Sequence, residues 1–146
     1  MIVHYVSIYY SSKCEYFCLP MKNLLEKLNF KDGLIPTIIA DCETNLPLTL
    51  CYLNEEALIK SVESGTVHLY RRSKGKLMQK GETSGHTQEI KEIRVDCAGN
   101  SLLFLVKQNV AACHKGFFTC YFERYNPSDD KIEIEGEQLF DPEEVY

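Results

Sequence analysis

Ser101-Leu102-Leu103-Phe104-Leu105-Val106 is the longest apolar run in the chain, and it reads as a strand. Successive strand side chains point to opposite faces, so an unbroken apolar run from Leu102 to Val106 needs cover on both sides of its sheet. In a chain of 146 residues such cover is scarce, and a second subunit is one source of it. Working outward, residues 66–72, 77–80, 88–97, 101–108 and 117–125 carry strand-like patterns. Ser73-Lys74-Gly75 and Ala98-Gly99-Asn100 are tight-turn sequences between neighbours, so antiparallel pairing is expected to dominate. Towards the N-terminus, residues 35–41 and 48–53 flank the hairpin signal Glu43-Thr44-Asn45-Leu46-Pro47. Leu24, Leu25 and Leu28 share one face of a short helix ending before Asp32-Gly33. Asn54 caps a second helix, with Glu55 and Glu56 in its first turn and Gly65 closing it. The expected class is α+β, mostly antiparallel β with one or two short helices.

The length fits one domain, which would bury about two-thirds of the unfolded surface. Net charge is −5 without a long basic block, which argues against general nucleic-acid binding. The longest apolar run falls far short of the roughly 20 residues of a membrane helix, so no membrane partner is expected. Seven cysteines without a convincing signal peptide point to a reducing compartment, the cytoplasm, with thiols used as packing groups, metal ligands or nucleophiles. Cys42 and Cys51 lie in strand-like runs and read as small buried hydrophobes. Cys14 and Cys18 form a C-x3-C pair with no matching ligand nearby, and His4 and His68 read as structural or surface residues. Residues 1–20, rich in Tyr, Ser and Cys, lack periodicity and are expected to form a poorly ordered extension ahead of a domain over 21–146. A chain beginning at Met21 is expected to keep fold and activity.

The chemistry concentrates in Lys80-Gly81-Glu82-Thr83-Ser84-Gly85-His86, followed by Cys97, by Cys113 within Ala112-Cys113-His114-Lys115-Gly116, and by Cys120. Taken alone, a C-x15-C-x6-C spacing favours three buried thiols. The glycine-flanked polar loop and the histidine beside a thiol shift the reading towards a zinc site with room for a substrate. Three thiolates and one open position suit a catalytic zinc better than a structural one. Hairpin pairing of the flanking strands is expected to bring the three together. His114 is the candidate for moving protons. His86 either orients substrate or the catalytic group, or stabilises its loop. Arg72-Ser73-Lys74-Gly75-Lys76 offers cations and exposed N–H groups at a turn, fit for an anion or simply for solvent.

Together these residues resemble phosphoribosyl-AMP cyclohydrolase, the histidine-biosynthesis family that opens the adenine ring of a phosphoribosylated nucleotide. The resemblance runs from about Leu24 to Arg124, with a weaker echo in Phe140-Asp141-Pro142-Glu143-Glu144-Val145-Tyr146. It implies an intertwined homodimer with zinc at the subunit interface, held by Cys97, Cys113 and Cys120 from both chains. It also implies a small nucleotide substrate, phosphate contacts from Arg72, Ser73 and Lys74, further substrate contacts from Glu82, Thr83 and Ser84, with Glu82 on the ribose or on a metal, and catalytic roles for His114 and His86. An open zinc acidifies water to a pKa of roughly 7, which suits hydrolytic attack at adenine C6 with expulsion of N1.

The departures from the family pattern are local. An Asp-x-Asp-x-Asp magnesium motif is replaced by Asp96-Cys97-Ala98-Gly99-Asn100, where Asp96 is the one carboxylate and Asn100 offers a neutral carbonyl. Magnesium is therefore expected to bind weakly if it binds. Met78 stands for a common tryptophan, Val110-Ala111 for a Gly-Pro pair, and Lys74 where arginine is frequent. Two other readings stay open: a zinc hydrolase for another purine-like nucleotide, and a non-enzymatic zinc- or nucleotide-binding dimer.

Overall fold

The computed structural model describes residues 21–146, so Cys14, Cys18, His4 and the expectation for the extension over 1–20 lie outside the described residues. Helix α1 (Lys22–Lys27) leads into β1 (Ile35–Asp41) and β2 (Pro47–Leu53), an antiparallel hairpin. Its turn is locked by Asp41, whose Oδ2 accepts from Thr44 N at 2.9 Å and Thr44 Oγ1 at 2.7 Å. Helix α2 (Glu55–Ser64) follows. Asn54 Oδ1 accepts from Ala57 N at 2.9 Å, a cap that contributes about 1 kcal/mol. Gly65 ends the helix at φ 70°, where a glycine carries no Cβ penalty.

Strands β3 (His68–Arg71) and β4 (Lys76–Gln79) form a small hairpin across a single 3-10 turn, Arg72–Lys74. Ser61 ties it to α2: its Oγ donates to Ala57 O at 2.8 Å and accepts from His68 N at 2.8 Å. Strands β5 (Gln88–Val95) and β6 (Leu102–Gln108) make the second long hairpin. The main sheet has the order β2-β1-β6-β5. Antiparallel pairing dominates as expected, with one exception, since β6 lies parallel to β1. The β5–β6 turn docks under α1: Asn29 N donates to Gly99 O at 2.8 Å, and a Cβ on Gly99 would collide with Lys27 O.

The register places Ile35, Thr37, Ile39, Cys51, Leu53, Leu102, Phe104 and Val106 on one face, where α2 supplies Ala57, Leu58 and Ile59 and closes the core. On the opposite face Ile38 pairs with Leu50 and Leu103. Ile38 is 42% exposed and Leu50 47% exposed, so a single chain covers β6 on one side more fully than on the other. Cys51 is buried as expected, while Cys42 is half-buried.

The strand expected over 117–125 is a correction. Cys120 N donates sideways to Leu48 O at 2.7 Å, and Phe117 bridges to Gln138, so the backbone partners change every few residues and no continuous ladder forms. A strand appears only at β7 (Glu123–Asn126), paired with β8 (Lys131–Ile134) in a C-terminal hairpin the patterning missed. A short α3 (Pro142–Val145), capped by Asp141, ends the chain. No helix among the described residues is long and apolar enough to cross a membrane.

Candidate active site

Two thiols meet beyond the end of β6. The chain turns at Val110 (φ 62°), then buries Ala111, Ala112 and Cys113. Ala112 N donates to Phe118 O at 3.0 Å, Cys113 N to Phe117 O at 3.1 Å, and Gly116 N back to Cys113 O at 3.0 Å. These bonds close Cys113-His114-Lys115-Gly116 into a tight turn with the Lys115 N–H directed at Cys113 Sγ, 3.5 Å away, and His114 exposed at its tip. Cys120 reaches the same place because it is stitched to the start of β2, where Thr119 Oγ1 also donates to Pro47 O at 2.6 Å. The two sulfurs are close enough to interact by charge and by hydrogen bonding. Burial raises the Cys120 thiol above its ordinary pKa; the hydrogen bond with Thr49 pulls it down, Cys113 pushes it up again, and the Lys80 charge lowers it.

Lys80 is the cation of this corner. Its Nζ donates to Ala112 O at 3.0 Å, and its charge reaches both Cys120 and Cys51. Cys51 is nonetheless pushed up to about 12 by burial, so it stays a neutral packing thiol. The patterning passed over Lys80 as a site residue. Its place at the head of the Gly81–His86 loop was the available signal.

Cys97 is exposed in the β5–β6 turn, at the opposite end of β6. The strand between them spans about 20 Å at ~3.3 Å per residue. Hairpin pairing, expected to bring the three thiols together, does not do so inside a single chain, because β6 itself separates Cys97 from Cys113. Among the described residues, no group of three or more His, Cys, Asp or Glu side chains is placed to hold a metal. One chain offers a thiol pair, Cys113 buried and Cys120 half-buried, and, remote from it, a third exposed thiol.

The Gly81–His86 loop sits beside the Cys113 turn through Lys80. Gly85 N donates to Gly81 O at 2.8 Å, His86 N to Ser84 Oγ at 3.2 Å, and Asn109 Nδ2 to Gly85 O at 2.8 Å, which fixes the loop to the end of β6. Glu82 Oε2 accepts from Gln79 N at 3.3 Å, and Glu82 and Thr83 are exposed. His86 Nδ1 is buried and, among the described residues, has no hydrogen-bond partner.

The basic turn holds Arg72, Ser73 and Lys74 exposed. The Arg72 guanidinium stacks 3.8 Å over the Tyr52 ring, which orients it without neutralising it. Among the described residues neither Arg72 nor Lys74 makes an ion pair.

Asp96 is committed locally. Its Oδ1 accepts from Ala98 N at 3.0 Å and Asn100 N at 2.8 Å, and its Oδ2 from Ser101 Oγ at 2.7 Å. The Ser101 bond first, then the Asn100 amide, hold its carboxyl below the usual range. Asn100 Oδ1 lies 3.4 Å from Asn29 Nδ2. Asp96 thus brings one carboxylate, engaged in closing its own turn, and Asn100 beside it brings a neutral carbonyl.

A family model for phosphoribosyl-AMP cyclohydrolase matches residues 49–122, which contain the basic turn, the Gly81–His86 loop and all three thiols. The chain belongs to the phosphoribosyl-AMP cyclohydrolase family. The phosphoribosyl-AMP cyclohydrolase of Natronomonas pharaonis is 50% identical over 113 residues, 77% of this chain and 90% of that protein. The Methanocella arvoryzae protein of the same name is 44% identical over 117 residues, covering 80% and 94%. The histidine biosynthesis bifunctional protein HisIE of Thermoanaerobacter pseudethanolicus is 43% identical over 127 residues, covering 86% of this chain and 58% of its own length. Membership identifies the chain as a hydrolase of this family, and the candidate site residues from Arg72 to Cys120 all fall inside the matched span. Outside that span, the Phe140 ring meets the His86 ring edge-on, with centroids 4.7 Å apart.

Proposed function

We propose that the chain hydrolyses the N1–C6 bond of the adenine ring in phosphoribosyl-AMP, as a step of histidine biosynthesis, in a homodimer that shares its zinc sites. The observation that carries the reading is the coincidence of the family match with the site: residues 49–122 hold the thiol pair, the cationic turn and the polar loop. The donor set fits zinc in chemistry, with Cys113 and Cys120 paired in one chain and Cys97 of a second copy as the third ligand. When bound, zinc supplies Lewis acidity and lowers the pKa of water.

The chain's own residues do the rest. Arg72, Ser73 and Lys74 hold a phosphate of the substrate; Arg72 is already oriented by Tyr52. Glu82, Thr83 and Ser84 contact the ribosyl part. His114, exposed beside Cys113, carries a proton from the attacking water to N1 as the N1–C6 bond breaks. Oxygen ends on C6 as the carbonyl of a carboxamide, and N1 parts from C6 as a protonated formamidine nitrogen that stays joined to C2 and the ribosyl group. His86 orients the reacting groups from the neighbouring loop.

The uncovered face carrying Ile38, Leu50 and Leu103 supports a second copy, since a sheet with exposed aliphatic groups gains stability when a partner removes them from water. The free thiols Cys42, Cys51, Cys97, Cys113 and Cys120 support a reducing, cytoplasmic setting.

The test is incubation of zinc-loaded protein with phosphoribosyl-AMP, following the ring-opened product by absorbance. Zinc-dependent product formation is expected. Zinc-dependent hydrolysis of another purine nucleotide, with none of this one, would replace the substrate assignment, and tight zinc binding without any turnover would leave a binding protein.

Magnesium titration at fixed zinc provides a separate expectation. Because the Asp96 oxygens are engaged by Ala98, Asn100 and Ser101, turnover should respond little to added magnesium. The double variant Ala98→Asp, Asn100→Asp should gain a response, as two more anionic oxygens attract a hard divalent ion. Strong activation of the unmodified protein, reversed by a chelator that leaves zinc in place, would contradict this.

A further inference from the structure

The C-terminal segment is bound to both site loops at once. Leu139 N donates to Gly116 O at 2.7 Å, and Gln138 Nε2 donates to Lys115 O at 2.9 Å, so the segment is laced to the turn that presents Cys113 and His114. Gly116 is required there on two counts. It sits at φ 90°, and a Cβ would run into Phe140 O and come within 2.8 Å of Gln138 Cγ. One residue further, the Phe140 ring packs edge-on against His86 at 4.7 Å and 61°. Helix α3 then turns the chain back, leaving the Tyr146 ring 6.4 Å from that of Phe140.

The His86 ring has few other constraints. Its Nδ1 is buried without a partner among the described residues, and His86 bonds there through its backbone: N donates to Ser84 Oγ and O accepts from Gln108 Nε2. A ring whose orientation is not fixed by a hydrogen bond is fixed by packing, and edge-to-face aromatic contacts prefer a definite geometry. Leu139 is exposed and Phe140 half-buried, and Pro142 and Val145 are the other half-buried residues of the segment.

We propose that residues 138–146 form a positioning strap, in which Phe140 sets the orientation of the His86 imidazole relative to the Cys113-His114 turn. This rests on the reading of His86 as part of the active site. The strap couples two loops that are far apart in sequence: one end is hydrogen-bonded to the backbone around His114, the other is packed on His86. Phe140 touches no reacting atom, so it acts through His86. Its loss lets the imidazole rotate, and misorientation of that kind lowers the rate of the bound complex more than it weakens substrate binding.

The experiment compares the zinc-loaded full chain with Phe140→Ala, Phe140→Leu and Phe140→Tyr. Phe140→Leu keeps an apolar side chain against the loop and guards against simple unfolding; Phe140→Tyr keeps the ring. Expected for Phe140→Ala and Phe140→Leu is a fall in kcat of about tenfold or more with KM changed less than about threefold, at unchanged zinc content and thermal midpoint, and recovery in Phe140→Tyr. Unchanged kcat, or a fall in kcat that follows loss of zinc or of thermal stability, overturns the proposal. The ring-proton resonances of His86 give an arm independent of substrate. Because loss of the Phe140 ring current alone displaces these signals, the readout is their nuclear Overhauser contacts: Hε1 and Hδ2 contacts redistributed in Phe140→Leu and restored in Phe140→Tyr support the strap, and an unchanged contact pattern overturns it. If the unmodified chain leaves phosphoribosyl-AMP intact, the functional reading falls and this arm alone decides.

Discussion

Cys113→Ser and Cys120→Ser should each yield a folded protein without zinc and with kcat lowered by about a thousandfold or more, because the chain's own groups cannot replace a metal that acidifies water. The two sulfurs interact directly at the end of β6, so loss of either leaves the other with no neighbouring thiol to complete a chelate. An alcohol is a poor zinc ligand beside thiolate. Cys97→Ser should behave the same way despite its place at the far end of the strand. Cys42→Ser is the control, since Cys42 is half-buried on the hairpin and outside the site, and it should keep zinc and turnover. Metal analysis and the phosphoribosyl-AMP assay check all four. Full zinc occupancy in the three site variants would refute the ligand assignment.

The second large effect is expected at Gly81. A Cβ there would strike the carbonyl carbon of His86, approach His86 O to 2.5 Å and Thr87 N to 2.6 Å, all backbone atoms that cannot rotate aside. The residue also lies at φ 82°, where an L side chain is strained. Gly81→Ala must therefore push the His86 backbone away from its bonds to Ser84 and Gln108, and carry Glu82, Thr83 and Ser84 with it. Displacement of about 1 Å at positioning groups costs on the order of a hundredfold in rate. We expect that loss in kcat/KM with zinc retained, since Cys113 and Cys120 are anchored to Phe117 and Leu48 rather than to this loop. Gly33→Ala makes a comparison: it has a positive φ of 75° but open space around it, so it should cost stability alone and leave kcat near normal.

The elements with strong local chemistry were legible in advance. Asn54 and Gly65 mark α2 at both ends, and Glu43 to Pro47 mark the first hairpin, because caps and turns are fixed by residues within a few positions of each other. The doubly apolar Leu102–Val106 announced the central strand, and its incompletely covered face followed from the same alternation. The parallel pairing of β6 with β1 was not legible, since it depends on where two hairpins dock. The segment after Cys113 misled for a related reason. Phe117, Phe118, Tyr121 and Phe122 have strand-like side chains, yet their backbone groups bond to Cys113, Ala112 and Glu135, and the neighbouring Cys120 bonds to Leu48, partners scattered over the fold. For the site, residue types were legible and distances were not. The strand over 101–108 was legible between Cys97 and Cys113, but the separation it imposes on the two thiols was not drawn from it, and no spacing shows that Lys80 and Phe140 come to the two loops.

The central claim is that the site closes only across two copies, and mixing inactive copies tests it most directly. Cys97→Ser and Cys113→Ser chains are unfolded together and refolded with zinc, then assayed on phosphoribosyl-AMP. In a mixed dimer one of the two sites combines Cys97 from one copy with Cys113 and Cys120 from the other, all intact, while the second site lacks two ligands. Random pairing makes half the dimers mixed, so about a quarter of the wild-type activity and site-bound zinc should return from two proteins that have none alone. A mixture as inactive as its parents, although shown to contain the mixed dimer, would contradict the account.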